Sequence, residues 1–178
     1  MGNKEQTLIT RELVKSLFGY DKDGLYRVVN RNKGKVGGRA YKANPHGYKG
    51  FKLNGRLHLE HRLVWLYHFD ESPEVIDHIN GNPADNRIEN LRKATHSQNH
   101  WNSKLDVRNK SGVKGVSWAS DRNKWVAVIR CNNKIHRVGT FATLDTASSA
   151  MALARNSLHK QFANFGVWTW PKKKSPKS

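Results

Sequence analysis

Cysteine is nearly absent: Cys131 is the only one in 178 residues. One thiol can build neither a disulfide framework nor a cysteine-based zinc ribbon, so a reducing interior suits the chain. Acidic residues are scarce as well. Asp and Glu total 14 against 32 Lys and Arg, giving a net charge of +18 and a pI of about 10.3. Such a field attracts polyanions by counterion release, which leaves nucleic acid and acidic membrane surfaces as partners. Long apolar runs are missing too. Nothing approaches the ~18 residues that span a bilayer, and the basic residues do not follow one amphipathic helix. The 6 Trp, interleaved with Lys and Arg, fit nucleic acid better than lipid. The opening Met1-Gly2-Asn3-Lys4-Glu5 has no apolar core of a secretory signal, so a cytoplasmic, non-secreted protein is expected. Gly34, Gly37 and Gly38 lack the order of a phosphate-binding P-loop. Asp21 and Asp23 are too few for a calcium loop.

Chemistry-bearing residues collect between Val75 and Asn102. Asp77 and His78 stand side by side after Val75 and Ile76. The turn-rich Asn80-Gly81-Asn82-Pro83 follows, then Asn90 and Asn99. The pattern reads as strand, loop, strand and helix, with Thr95 as the cap of a helix starting at His96. Adjacent strand residues point to opposite faces. Asp77 and His78 therefore share a site only where the strand ends or twists, which Gly81 and Pro83 allow. On the helix His96, Asn99 and Asn102 share a face, and each of them, or His100, is a candidate ligand. Imidazole titrates near neutral pH, which suits His78 to general-base work. One carboxylate and one amide oxygen are enough protein for a hard divalent ion that keeps its waters. Such an ion relieves charge on a phosphoryl group and its leaving oxygen. The plainer alternative is a polar hairpin in which Asn and Asp serve only as turn and cap residues.

The combination Asp77-His78, Asn90-Leu91-Arg92 and Gln98-Asn99 at these spacings resembles the HNH nuclease motif, in the variant carried by phage and intron homing endonucleases. The resemblance implies a ββα-metal core over about 75–102 within an HNH domain of 1–102. It implies phosphodiester hydrolysis in double-stranded DNA. His78 and Asn90 are then the catalytic pair, with Asn90 bonding backbone across the loop to fix His78. Asp77 and Asn99 are the metal ligands. Mg²⁺ is the expected cofactor, with Mn²⁺ as the alternative. The family also carries a His-Arg at the position of His61, for which a capping or packing role stands beside a catalytic one.

Residues 1–74 read as a platform. Thr10 caps a short helix over 10–18, a strand runs from Leu25 to Val29, and Asn30 to Lys42 is a basic, glycine-rich loop. Strands 48–53 and 56–59 flank Asn54-Gly55, a strong hairpin signal. A helix over 60–68 buries Leu63, Val64, Leu66 and Tyr67. Residues 103–112 read as a linker whose Lys104, Arg108 and Lys110 track a phosphate backbone.

From Val113 a second pattern begins. Gly115-Val116-Ser117-Trp118 opens one strand, 123–130 forms the next and 134–138 a third, with Gly139-Thr140-Phe141 closing the sheet. Asn132-Asn133 makes a tight turn. Thr143 caps a helix with Ala147, Ala150, Met151, Ala154 and Leu158 on one stripe. Together with Phe162-Ala163-Asn164-Phe165, these elements resemble an AP2 domain over 113–167, whose sheet enters the DNA major groove in that family. Alternation turns Trp125, Ala127 and Ile129 inward and Arg130 outward, with Arg137 and Lys114 in similar outward positions. The expected DNA-contacting set is Lys114, Ser117, Trp118, Arg122, Arg130, Lys134 and Arg137. The tail, 168–178, is basic by composition.

The expected fold is thus α+β: a ββα-metal HNH nuclease domain followed by a three-stranded antiparallel sheet plus helix, AP2-like. The expected function is a site-specific, metal-dependent endonuclease of the homing type. With one Asp-His…Asn…Asn set, it acts as a monomer that nicks one strand and needs no obligate protein partner. A non-catalytic AP2-type DNA-binding or transcription factor with an inactive HNH domain is the alternative.

Overall fold

The computed structural model of the chain describes residues 8–30, 34–42 and 44–166. The basic tail, 168–178, and residues 31–33 of the glycine-rich loop lie outside the described residues. The chain divides into two compact units, 1–93 and 94–178. The fold is mixed α and β, with small sheets and few helices. Among the described residues no helix is long and apolar enough to cross a membrane.

In the first unit, helix α1 (Arg11–Leu17) starts where the Thr10 hydroxyl accepts the Leu13 N–H at 3.3 Å, and it buries Val14 and Leu17. Strands β1 (Phe18–Asp21) and β2 (Gly24–Arg27) form an antiparallel hairpin directly after it. The sequence indicated only the second of these, since Phe18 reads equally well as the end of the helical stripe. Strands β3 (Tyr41–Lys42), β4 (Lys49–Leu53) and β5 (Arg56–Leu59) form a second antiparallel sheet. Asn54 and Gly55 turn β4 into β5 with φ of 49° and 79°, the left-handed pair that matches strand twist. Helix α2 (Glu60–Phe69) buries Leu63, Val64 and Trp65, and also Glu60 and His61. Leu66 and Tyr67 are half-buried. Strands β6 (Val75–His78) and β7 (Leu91–Ala94) pair as a two-stranded sheet. The core joins Val14, Phe18, Leu25, Phe51, Val64, Ile76 and Leu91, with the Phe18 and Phe51 rings 4.5 Å apart. Burying such side chains stabilises by about 1.5–3 kcal/mol each, and it is Ile76 in this core that anchors β6.

The second unit opens with helix α3 (His96–Trp101). Thr95 and Gln98 form a reciprocal capping box at its start. Strands β8 (Val116–Ala119), β9 (Lys124–Cys131) and β10 (Lys134–Phe141) form an antiparallel sheet in the order β10-β9-β8. Asn132 and Asn133 make the turn with φ of 49° and 62°. Helix α4 (Leu144–His159) packs on one face, where Val116, Ala127, Ile129, Ala147 and Met151 make the core. The buried stripe of α4 runs Ala147, Met151, Arg155, His159, so its last turns bury polar groups where the sequence stripe placed Ala154 and Leu158. Segment 103–112 belongs to this unit. Ser111 Oγ donates to Val116 O at 2.7 Å, and Asn109 Nδ2 to Val113 O at 3.1 Å.

Candidate active site

All of β6, Val75-Ile76-Asp77-His78, is buried. The alternation of a strand then sends its two polar side chains to different partners. Asp77, with its side chain 5% exposed, receives Arg92 Nε at 2.8 Å and Nη2 at 2.7 Å, both on Oδ2. His78 Nε2 lies 2.9 Å from Asn86 Oδ1. Asn86 Nδ2 in turn donates to Glu60 Oε2 at 2.7 Å, and Glu60 Oε1 accepts the Leu25 N–H at 3.2 Å. The His61 and Tyr48 rings wall the cluster, 5.2 Å and 5.9 Å from the His78 ring.

Burial sets the charge states here. It pushes the His78 imidazole down, an effect that the Asn86 bond and the Asp77 charge partly oppose. It pushes His61 down to about 3, with the His78 and Arg62 charges adding to the shift. His61 is therefore a neutral ring at physiological pH, and among the described residues its Nδ1 has no hydrogen-bond partner. That suits a packing role.

The loop between the strands is tied by side chains. Asn90 Oδ1 accepts the Asn80 N–H at 3.0 Å, and Asn90 Nδ2 donates to Asn80 Oδ1 at 3.0 Å and to Asp85 O at 2.8 Å. Asn90 thus spans the loop through backbone and side chain, and its own carbonyl accepts the Ile79 N–H at 2.8 Å. Asp85 grips Arg87 through both oxygens at 2.8 Å, which holds its carboxyl down at about 2. Gly81, with a φ of 64°, lets its N–H return to His78 O at 2.7 Å, so the chain folds back as β6 ends.

Glu60, Asn86 and Arg92 were not singled out from the sequence. Asn86 sits in a run where every Asn reads as a turn residue, and Glu60 lies 26 residues from its partner Asn86. Arg92 was visible inside Asn-Leu-Arg, and one strand facing another was the signal for its carboxylate partner.

The metal expectation can be tested on the donor set. Among the described residues no three or more His, Cys, Asp or Glu side chains gather. A buried carboxylate beside an imidazole fits a hard ion that keeps several waters, and does not fit a closed cage of protein ligands. Arg92 covers Oδ2, so a cation at Asp77 either shares the carboxylate with Arg92 or displaces it. Asn99 lies on α3 in the second unit with its side chain exposed. At the C-cap of that helix Asn102 is buried and accepts from Asn164 Nδ2 through Oδ1 at 3.2 Å and its carbonyl at 3.1 Å. Trp101 stacks on His159 with centroids 4.4 Å apart.

The residues expected to contact DNA are spread over the second unit. Arg130 and Arg137 are exposed on one face of the sheet, and Ser117 shares that face by its register with Val126. Trp118 and Lys134 fall on the opposite face, paired with Trp125 and Cys131. Lys104 and Lys110 are exposed. Arg122 pairs with Asp121 at 3.0 Å, and Arg108 folds back onto Asp106 at 2.8 Å. Lys114 departs from its expected outward position. Its ammonium donates to Trp101 O at 2.9 Å, Ser103 O at 2.6 Å and Ser103 Oγ at 3.3 Å, and burial holds it down at about 8. The cause is local. Gly115, at a φ of +83°, passes so close to Val128 O that a Cβ would lie 2.6 Å away, and the bend aims Lys114 away from the sheet face.

Residues 58–101, which hold Glu60, His61, Asp77, His78, Asn86, Asn90 and Arg92, match the HNH endonuclease family. Over 120 residues the chain is 35% identical to Protein 3.8 of Escherichia phage T7, covering 66% of this chain and 96% of that one. The chain carries an HNH endonuclease domain at residues 58–101. It is also 29% identical over 123 residues to an "Uncharacterized HNH endonuclease" of Acanthamoeba polyphaga mimivirus, covering 66% of this chain and 63% of that one. No solved structure matches the chain. The presence of this domain supports nuclease activity, with DNA as the implied substrate.

Proposed function

We propose that this HNH endonuclease is a metal-dependent, site-specific nickase of the homing type, anchored to DNA by an AP2-like second unit. The observation that carries the reading is His78. It is a buried imidazole held at one nitrogen by Asn86 and adjacent to the Asp77 carboxylate, within the residues that match the family. His78 takes a proton from the attacking water. Asn90 keeps the loop, and with it the end of β6, in place. Asp77 and Asn99 are the proposed carboxylate and amide oxygens for Mg²⁺. The ion, when bound, relieves charge on the phosphoryl group and its leaving oxygen. The sheet face carrying Arg130 and Arg137 is the proposed reader of base edges, since arginine can bond guanine bidentately.

A single centre attacks one phosphodiester at a time, and a strongly positive chain resists self-association without DNA. A monomer that nicks is the consequence. The test is a supercoiled plasmid with one mapped site, incubated with and without Mg²⁺. Nicked circles should accumulate only with the ion, and His78→Ala should slow cutting by ~10²–10⁴ while keeping DNA affinity. Cutting by His78→Ala at the wild-type rate removes the base assignment. Prompt linearisation at a rate second order in protein removes the monomeric nickase.

A further inference from the structure

Two buried side chains stand in one hydrogen-bonded file behind the proposed base His78, and neither has been given a role above. Glu60 is 2% exposed, Asn86 4% and His78 5%. The direction of each bond follows from what each group can donate. Glu60 Oε1 accepts from the Leu25 N–H and Oε2 from Asn86 Nδ2, the state of an ionised carboxylate. An amide whose NH₂ faces Glu60 must turn its oxygen to His78, and an amide oxygen only accepts. The proton therefore sits on His78 Nε2, and the lone pair on Nδ1.

Local structure is arranged to keep Glu60 accepting. It is the first residue of α2, where unsatisfied backbone N–H groups favour an anion. Gly24, at a φ of +103°, would place a Cβ 2.8 Å from Glu60 Oε1, so glycine is what leaves room for the carboxylate beside Leu25. Burial pushes the Glu60 carboxyl up, while the Asn86 bond and the Lys49 charge pull it down. The Tyr48 and His61 rings close the sides of the imidazole and limit its rotation.

We propose that Glu60 and Asn86 are positioning residues that hold His78 in the Nε2–H tautomer, so that Nδ1 is the nitrogen that receives the proton of the attacking water. The inference rests on the reading of His78 as the general base. As the water's oxygen bonds to phosphorus and the bond to the leaving oxygen breaks, the water's proton passes to Nδ1. The leaving oxygen takes its proton from solvent. The imidazolium that forms keeps its Nε2–H on Asn86 Oδ1, with the Glu60 carboxylate behind it. The opposite arrangement has Glu60 protonated and the amide reversed. It would put the proton on Nδ1 and leave no lone pair there.

Long-range ¹H–¹⁵N correlation of the histidine-labelled full chain reads the tautomer directly, with a His78→Gln sample identifying the signals of His78. The wild type should show Nε2–H. Glu60→Gln puts an NH₂ where one oxygen accepted, and should move His78 toward Nδ1–H. Asn86→Ala should lower kcat by about 10–100-fold, as for other partners that orient a functional imidazole, with KM unchanged. A wild-type His78 found as Nδ1–H overturns the proposal without any variant having to fold, and leaves the nuclease reading intact. It is equally overturned if both folded variants keep the Nε2–H signal and the wild-type kcat. Wild-type cutting by His78→Ala would instead remove the base assignment itself, and the proposed role of the file with it.

Discussion

The two units bury polar side chains in different ways. In the first, beside main-chain bonds made by Arg27, Glu60 and Asn90, buried side chains bond to one another: His78 to Asn86, Asn86 to Glu60, and Asp77 to Arg92. In the second they bond mainly to main-chain carbonyls. Arg155 Nη2 donates to Lys114 O at 2.7 Å, His159 Nε2 meets Arg130 O at 2.9 Å, and Lys114 caps the end of α3. A carbonyl in a fixed chain has one role, to accept, and a cation tied to it acts as a brace. Side chains bonded to side chains can exchange protons or admit a cation. The difference separates a unit in which buried side chains bond to one another from one whose buried cations hold elements together, although both carry basic surfaces.

The largest break in this contrast should come from Asp77→Ala. It removes the carboxylate that Arg92 grips through two nitrogens, and losing one side of a buried pair costs about 3–5 kcal/mol. A loss of unfolding free energy of that size in a urea titration, together with lost cutting, is expected. Asp77→Asn combined with Arg92→Met should recover much of the stability and none of the cutting, which separates pairing from chemistry. In the second unit Arg155→Met removes a charged bond to a carbonyl, worth about 1.5–3 kcal/mol. Denaturation should report that loss, while the cleavage rate of the folded variant at saturating DNA stays near wild type. Loss of turnover there would erase the contrast.

A pH series sharpens it further. His61 is protonated in the unfolded chain below about 6.5 but stays neutral in the fold down to about 3. The unfolded state thus binds more protons across that window, and stability falls as the pH drops through it. Urea midpoints from pH 7 to 4.5 should decline, and His61→Leu should flatten the decline. The smallest effect belongs to the surface. Arg130→Ala should reduce discrimination between duplex sequences by about 1–3 kcal/mol, whereas Lys110→Ala should weaken all duplexes alike and lower the salt slope. Equal losses for both variants would make the sheet face a clamp.

Much of the fold was legible because it depends on short-range chemistry. Thr10, Thr95 and Thr143 each cap the helix they precede. Asn54-Gly55 and Asn132-Asn133 each make the hairpin turn that left-handed φ values require. The alternation of β9 correctly sent Ala127 and Ile129 into the core and Arg130 out. The β1 strand escaped because Phe-Gly-Tyr-Asp is too short and too mixed to show a period. Lys114 escaped because its direction depends on one close approach of backbone, at Gly115.

The sequence by itself determined the order of the elements, the basic surface, and a motif of Asp77, His78 and Asn90 that lies within the residues matching the HNH endonuclease family. Those features are written in neighbouring residues, and caps, turns and alternation act over a few positions. Only the tertiary structure decided which groups stand behind that motif. Glu60 reaches Asn86 across 26 positions, and Asp77 meets Arg92 across 15. Such pairs leave no periodic trace. They exist because a buried polar group is stable only with a partner, and which partner it finds depends on how the core brings α2, β6, β7 and their loop together.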